Sequence, residues 1–312
     1  MHILPLLLFV LPPIALAFAA LAANSPAEEA ESTWDDIVPA DGELEKLADG
    51  FRFIEGPVWM PTQTLVFSDI PGDTLYEWKG AGQPEVFRAP SYNANGNTLD
   101  RQGRLITCEH GSRKVRRTEK DGTITVIAER YQGKLLNSPN DVVVRSNGDI
   151  YFTDPPYGIK KEQEEIGFNG VYRLAPDGTL TALVKDFNRP NGLAFSPDEK
   201  RLYVDDTLEK HIRVFEVQAD GSLASGRVFA EVSGEKPGVP DGMRVDTRGN
   251  VYCTGSGGVQ VFAPSGRRLG TIEVPEIAAN CAWGDADLKT LYITASAGLY
   301  RIRLKIAGLP TH

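Results

Sequence analysis

Residues 139–154 read Pro-Asn-Asp-Val-Val-Val-Arg-Ser-Asn-Gly-Asp-Ile-Tyr-Phe-Thr-Asp. Two short apolar runs, 142–144 and 150–152, flank Asn147-Gly148, a dipeptide suited to the tight turn of a β-hairpin. A second hairpin follows at once, with runs at 170–174 and 180–184 around Asp177-Gly178. The stretch therefore predicts four short antiparallel strands in succession.

The same unit recurs on both sides. Upstream, Asn95-Gly96-Asn97-Thr98-Leu99 returns as residues 105–109, and Glu55-Gly56-Pro57-Val58-Trp59 returns as 65–69. Downstream, residues 190–195 return as 202–206, 240–243 as 251–254, and 280–283 as 291–294. The first residues of these units, 55, 95, 140, 191, 241 and 280, lie 40, 45, 51, 50 and 39 positions apart. Six such repeats predict an all-β six-bladed β-propeller with four antiparallel strands per blade. The sixth unit has only three strands before residue 304. The segment 44–53 is expected to supply the missing outer strand from the N-terminal side, closing the ring and removing an exposed sheet edge.

The alignment also makes a chemical statement. Its first position holds Glu55, Asn95, Asn140, Asn191, Asp241 and Asn280. Equivalent starts of six inner strands converge on one mouth of a propeller's central channel. Asn and Asp favour turns, but turn formation explains one or two such positions rather than six, and it does not explain Glu55. A ring of hard oxygen donors without Cys or His suits a divalent cation, Ca²⁺ best, with Mg²⁺, Mn²⁺ or Zn²⁺ acceptable. The second strands end on the same face with Asp69, Glu109, Asp154 and Asp205-Asp206, then Gly255 and Ala295. These acids either support the ring and face a substrate or cap loops. His110 is the one histidine expected near the site.

Composition agrees with this architecture. Gly and Pro number 31 and 21 of 312 residues and are spread evenly, as turns between many strands require. The net charge of −9 argues against nucleic acid as a partner. Residues 3–22 form an uncharged apolar run ending in Ala20-Leu21-Ala22, which predicts a signal peptide over 1–22 and export to the periplasm or outside the cell. No membrane association is expected after cleavage. Residues 23–43 read as a flexible lead-in and 44–312 as one propeller domain. Cys108, Cys253 and Cys281 are odd in number and form no CxxC, so they read as buried small hydrophobes. Arg113-Lys114-Val115-Arg116-Arg117 alternates like a strand with one solvated edge, and the charged insertion 160–165 reads as a solvated loop or a lid over the mouth. There is no G-x-S-x-G, HExxH, P-loop or GxGxxG.

Several motifs carry a family resemblance: Glu55-Gly-Pro-Val-Trp59, Ser138-Pro-Asn-Asp141, Phe152-Thr-Asp-Pro-Pro-Tyr-Gly158, Arg189-Pro-Asn-Gly-Leu193 and Pro240-Asp-Gly-Met243. Through these the chain resembles the SMP-30/gluconolactonase/LRE, or regucalcin-like, family of six-bladed calcium-dependent lactonases, over nearly all of 51–304. The resemblance implies Glu55, Asn140, Asn191 and Asp241 as metal ligands. Asn95 and Asn280 would then line a substrate pocket, together with His110, Glu109 and Asp154. A small lactone is the implied substrate, with Asp241 as general base and Asp141 as second choice, in a monomer or weak oligomer. The animal pattern has an Arg where this chain has Ser138, whereas Cys108-Glu109-His110-Gly111 looks more like bacterial gluconolactonases. Related propellers cleave phosphotriesters on a similar ring. A phosphotriesterase-like or other ester hydrolase, or a non-catalytic calcium-binding propeller, is therefore the alternative.

Overall fold

A computed structural model describes residues 1–2 and 31–311. The expected signal segment and the first part of the lead-in, 3–30, lie outside the described residues. Among the described residues no helix is long and apolar enough to cross a membrane.

Six four-stranded antiparallel sheets follow one another in a ring, five of them ordered inner to outer along the chain. Blade 1 begins with Ile54–Trp59, blade 2 with Ala94–Leu99, blade 3 with Val142–Val144, blade 4 with Pro190–Phe195, blade 5 with Met243–Val245 and blade 6 with Ala278–Gly284. The sixth sheet takes its outer strand from Glu45–Ala48, which pairs with Gly298–Arg303, as expected. Arg301 Nε donates to Glu45 Oε2 across that seam at 2.7 Å.

Second strands are buried on both faces because blades pack sheet against sheet. Every residue of Ile150–Asp154 is buried. Tyr151, Tyr203, Tyr252 and Tyr292 occupy one register position in four blades and are at most 1% exposed. Where a phenol is this deep it needs a partner. Tyr151 donates to the Gly221 carbonyl, Tyr252 to Asp246 and Tyr292 to Asp285.

Residues 31–43 are not a flexible lead-in. Trp34–Ile37 forms a helical turn whose Thr33 and Asp36 make a reciprocal capping box. Ile37 is fully buried among Val259, Val261, Ile272 and Ile302, and Trp34 packs over Gly270. Glu31 binds Arg267 at 3.1 Å. The compact unit therefore starts at Glu31 rather than at residue 44. The acidic composition hid an apolar pair one helical turn long. Ile37→Ala should lower unfolding free energy by about 2–5 kcal/mol. A urea titration showing less than about 0.5 kcal/mol would return this segment to the status of a tail.

The three cysteines are free and buried, as expected. The basic strand departs from expectation: Arg116 binds the buried Glu109 at 3.0 Å and stacks on Tyr92, while Arg113 donates to the carbonyls of Leu136 and Asn137. Its edge is spent holding loops rather than facing water.

Candidate metal and substrate site

All six ring positions converge at one mouth, held together by the backbone. Gly96 N donates to the Asn140 carbonyl at 2.8 Å, Gly192 N to the Asp241 carbonyl at 2.8 Å, and Gly242 N to the Ala279 carbonyl at 2.7 Å. Adjacent inner strands thus touch directly, and at four of the six positions this close approach requires the glycine that follows the ring residue. A Cβ on Gly192 would lie 2.1 Å from the Asp241 carbonyl oxygen, and one on Gly56, at φ +50°, 2.0 Å from that of Asn95. Second-strand hydroxyls complete the seams: Ser68 donates to the Asn95 carbonyl and Thr153 to that of Asn191.

The ring side chains differ in what they leave free. Asn140 is 3% exposed, and its side-chain amide makes no hydrogen bond with the described protein. Asn191 donates from Nδ2 to the Tyr157 hydroxyl at 3.2 Å and to Thr207 Oγ1 at 3.1 Å, which leaves its Oδ1 without a protein donor. Asn95 donates from Nδ2 to His110 Nε2 at 3.2 Å, and its buried Oδ1 has no partner. Burial lowers His110 to about 4, so the ring is neutral, and as an acceptor at Nε2 it carries its proton on Nδ1. Three amide oxygens are thus left without protein donors, and two of them, on Asn191 and Asn95, are oriented by their own NH₂ groups.

The two ring carboxyls meet each other. Glu55 lies within hydrogen-bonding reach of Asp241. It accepts from Gly56 N at 2.6 Å and from Asn280 Nδ2 at 2.9 Å. Burial first, then the charge of Asp141, raises Glu55 to about 7. Asp241 keeps some exposure at the mouth, yet burial of its carboxyl, then the charges of Glu55 and Asp205, push it well above the usual range. Two carboxyls in contact beside free amide oxygens are a poor arrangement for protein alone. They fit a hard divalent cation with Glu55, Asn140, Asn191 and Asp241 as donors. Among the described residues no group of three His, Cys, Asp or Glu forms a metal cluster, the ring's donors being mostly amides.

Other predicted residues have different work. Asn280 is at the ring, but its Oδ1 accepts from Cys281 N at 2.8 Å and its Nδ2 holds Glu55. It orients the Glu55 carboxyl, and neither end is left for a substrate. Glu109 is fully buried between Arg88 and Arg116. Asp154, raised to about 7 by burial, accepts from Asn137 N and Ser138 N. Both acids therefore hold loops and are not free to contact a substrate, because backbone amides and arginines of neighbouring loops reach them first. Asp69 and Asp206 cap loops in the same way. Asp141 sits one residue further along its inner strand than Asn140, 1% exposed, accepting from Val142 N at 2.9 Å.

Sequence reasoning missed Tyr157 and Thr207. Tyr157 lies in the Phe152–Gly158 motif, stacked beside His110 with ring centroids 6.2 Å apart and under the Arg189 guanidinium. Its hydroxyl donates to Thr207 Oγ1 at 3.0 Å, and Thr207 donates to the Pro240 carbonyl at 2.9 Å. Three blades thereby fix the Asn191 amide. Thr207→Val with Tyr157→Phe should weaken cation affinity about 10–100-fold in a calorimetric titration. An unchanged affinity would show that Asn191 orients itself.

Several comparisons bear on this arrangement. The SMP-30/gluconolactonase/LRE-like region model matches residues 53–297. A gluconolactonase of Zymomonas mobilis is 33% identical over 302 residues, covering 88% of this chain and 85% of that one. A pentonolactonase of Haloferax volcanii is 28% identical, covering 79% and 82%. The solved structure of a Xanthomonas campestris gluconolactonase superposes with a TM-score of 0.80 at 39% identity, covering 86% and 92%.

Proposed function

The chain belongs to the SMP-30/gluconolactonase/LRE-like family, and from that premise we propose that it opens a sugar lactone, an aldonolactone such as gluconolactone, to the free acid. The observation that carries a metal-dependent route is the ring itself: a touching Glu55–Asp241 pair facing amide oxygens with no protein donor. Glu55, Asn140, Asn191 and Asp241 hold the ion, with Ca²⁺ the best match to four flexible oxygen donors. When bound, the ion supplies Lewis acidity at the lactone carbonyl and offsets charge on the tetrahedral oxyanion.

The side chains do the rest. Asp241 keeps exposure at the mouth and takes the proton of the attacking water. Asp141, sealed below it, is the weaker candidate. Asn280 keeps the Glu55 carboxyl turned to the axis. Asn95 Oδ1 accepts a hydrogen bond from a substrate hydroxyl, while neutral His110 and Tyr157 wall the approach. The apolar run at 3–22 supports export to the periplasm or beyond.

The test is turnover on a panel of aldonolactones and phosphotriesters, followed by acid release. Opening of a five- or six-membered aldonolactone well above its spontaneous rate is expected. Phosphotriester cleavage at a higher kcat/KM would move the assignment to that ester class.

A further inference from the structure

The far end of the channel, opposite the ring, holds a cavity of about 280 Å³. Its walls are apolar: Val143, Ala194, Phe195, Val245, Leu309 and Pro310, with the C-terminal segment crossing over the ends of three inner strands. Into it reaches Arg244, only 8% exposed. Arg244 Nη1 donates to the Met243 carbonyl at 2.7 Å, and its nearest carboxylate oxygen, Asp141 Oδ2, is 3.9 Å away, beyond hydrogen-bonding reach. Arg244 Nε and Nη2 donate to no protein atom among the described residues, and the hydroxyl of Thr98, which lines the same cavity, makes no hydrogen bond there either. The other charged residue of the wall, Glu199, is engaged by the backbone N–H and hydroxyl of Ser146.

Asp141 answers part of the charge across 3.9 Å, but leaving two nitrogens of a nine-tenths buried guanidinium without an acceptor is still costly. Those two nitrogens present the fork that a carboxylate matches bidentately. The remaining walls are mostly apolar, with Ser196 Oγ already bonded to Asp198 and Arg201, and offer few partners for the many hydroxyls of a sugar; a cavity this size lies at the lower end of small-ligand pockets. We propose that this cavity is a second binding site, separate from the ring, for a small monocarboxylate with an apolar body. The carboxylate bonds to Arg244 and Thr98, and an aliphatic or aromatic residue packs between Phe195, Ala194 and Leu309.

Phenylacetate is the probe, with phenylacetamide as its uncharged twin, titrated calorimetrically into the full chain under chelation so that no ring cation can hold the acid. One-to-one binding of phenylacetate is expected, with the amide at least about 10-fold weaker, since a hydrogen bond to a charged group carries that much. Arg244→Gln should cost a similar factor. Ala194→Phe, which fills the cavity and keeps the guanidinium, should remove binding, and it serves where Arg244→Gln does not fold. The proposal is overturned by no binding of phenylacetate up to about 10 mM. It is equally overturned by equal affinity for acid and amide, or by affinity that survives Ala194→Phe.

Discussion

Chelation should reduce gluconolactone opening to the spontaneous rate, and added Ca²⁺ should restore it. Only two of the six ring positions are carboxyls, and the amides cannot act as bases, so without a cation little remains to polarise the carbonyl. Asp241→Asn separates the roles. It keeps an oxygen at the ligand position but removes the proton acceptor, so kcat should fall about 10²–10⁴-fold. Glu55→Gln should instead weaken cation affinity, with kcat recovering in part at saturating Ca²⁺. Should Asp241→Asn keep turnover within about threefold of the parent, the base is elsewhere and Asp141 becomes the residue to replace. Opening that persists in full under chelation would sink the metal-dependent route while leaving the propeller and its family untouched.

Stability of the chelated protein should fall as pH rises from about 4.5 through about 7, and protection by Ca²⁺ should grow over the same range. The native Glu55 carboxyl titrates at about 7 because burial and Asp141 oppose its charge, against 4.5 for a free Glu. Between those values the folded chain binds a proton that the unfolded chain has released. That contribution is full below about 4.5 and is lost on the way up. Asp241, raised by the same burial and by Glu55, and Asp154, raised to about 7, add in the same direction and together outweigh His110, whose lowering to about 4 opposes them below about 6.5. A cation needs both groups ionised, so its affinity rises as the protons leave, by up to about 10²-fold. The check is Tm at pH 5 to 8 with chelator and with Ca²⁺. The gap between the two curves should widen with pH and should narrow in Glu55→Gln. A gap that is constant or shrinks towards pH 8 would contradict the assignment of these two carboxyls to the cation.

Much of this was legible beforehand because a strand's side-chain period is two and a blade repeats its register. Once Asn140 and Asn191 aligned with Glu55 and Asp241, their convergence followed from the topology alone. The closing strand 45–48 was legible because three strands at the C-terminal end leave one edge open. Register could not say what each oxygen is bonded to. Asn280 shares the alignment with Asn140, yet Cys281 N occupies its Oδ1 while the Asn140 amide stays free. Glu109 and Asp154 share a strand position with apparent access to the mouth, and arginines or loop amides from other parts of the chain consume them.

The sequence by itself determined the six blades, the identity of the ring and its oxygen-only chemistry, because these depend on periodicity and on residue type at equivalent positions. Tertiary structure decided which ring oxygens are free, that Tyr157 and Thr207 aim Asn191, that residues 31–43 are packed, and that Arg244 faces a cavity. Those outcomes turn on hydrogen-bond partners and packing surfaces brought together from distant parts of the chain, and a linear pattern carries no record of which loop reaches which atom.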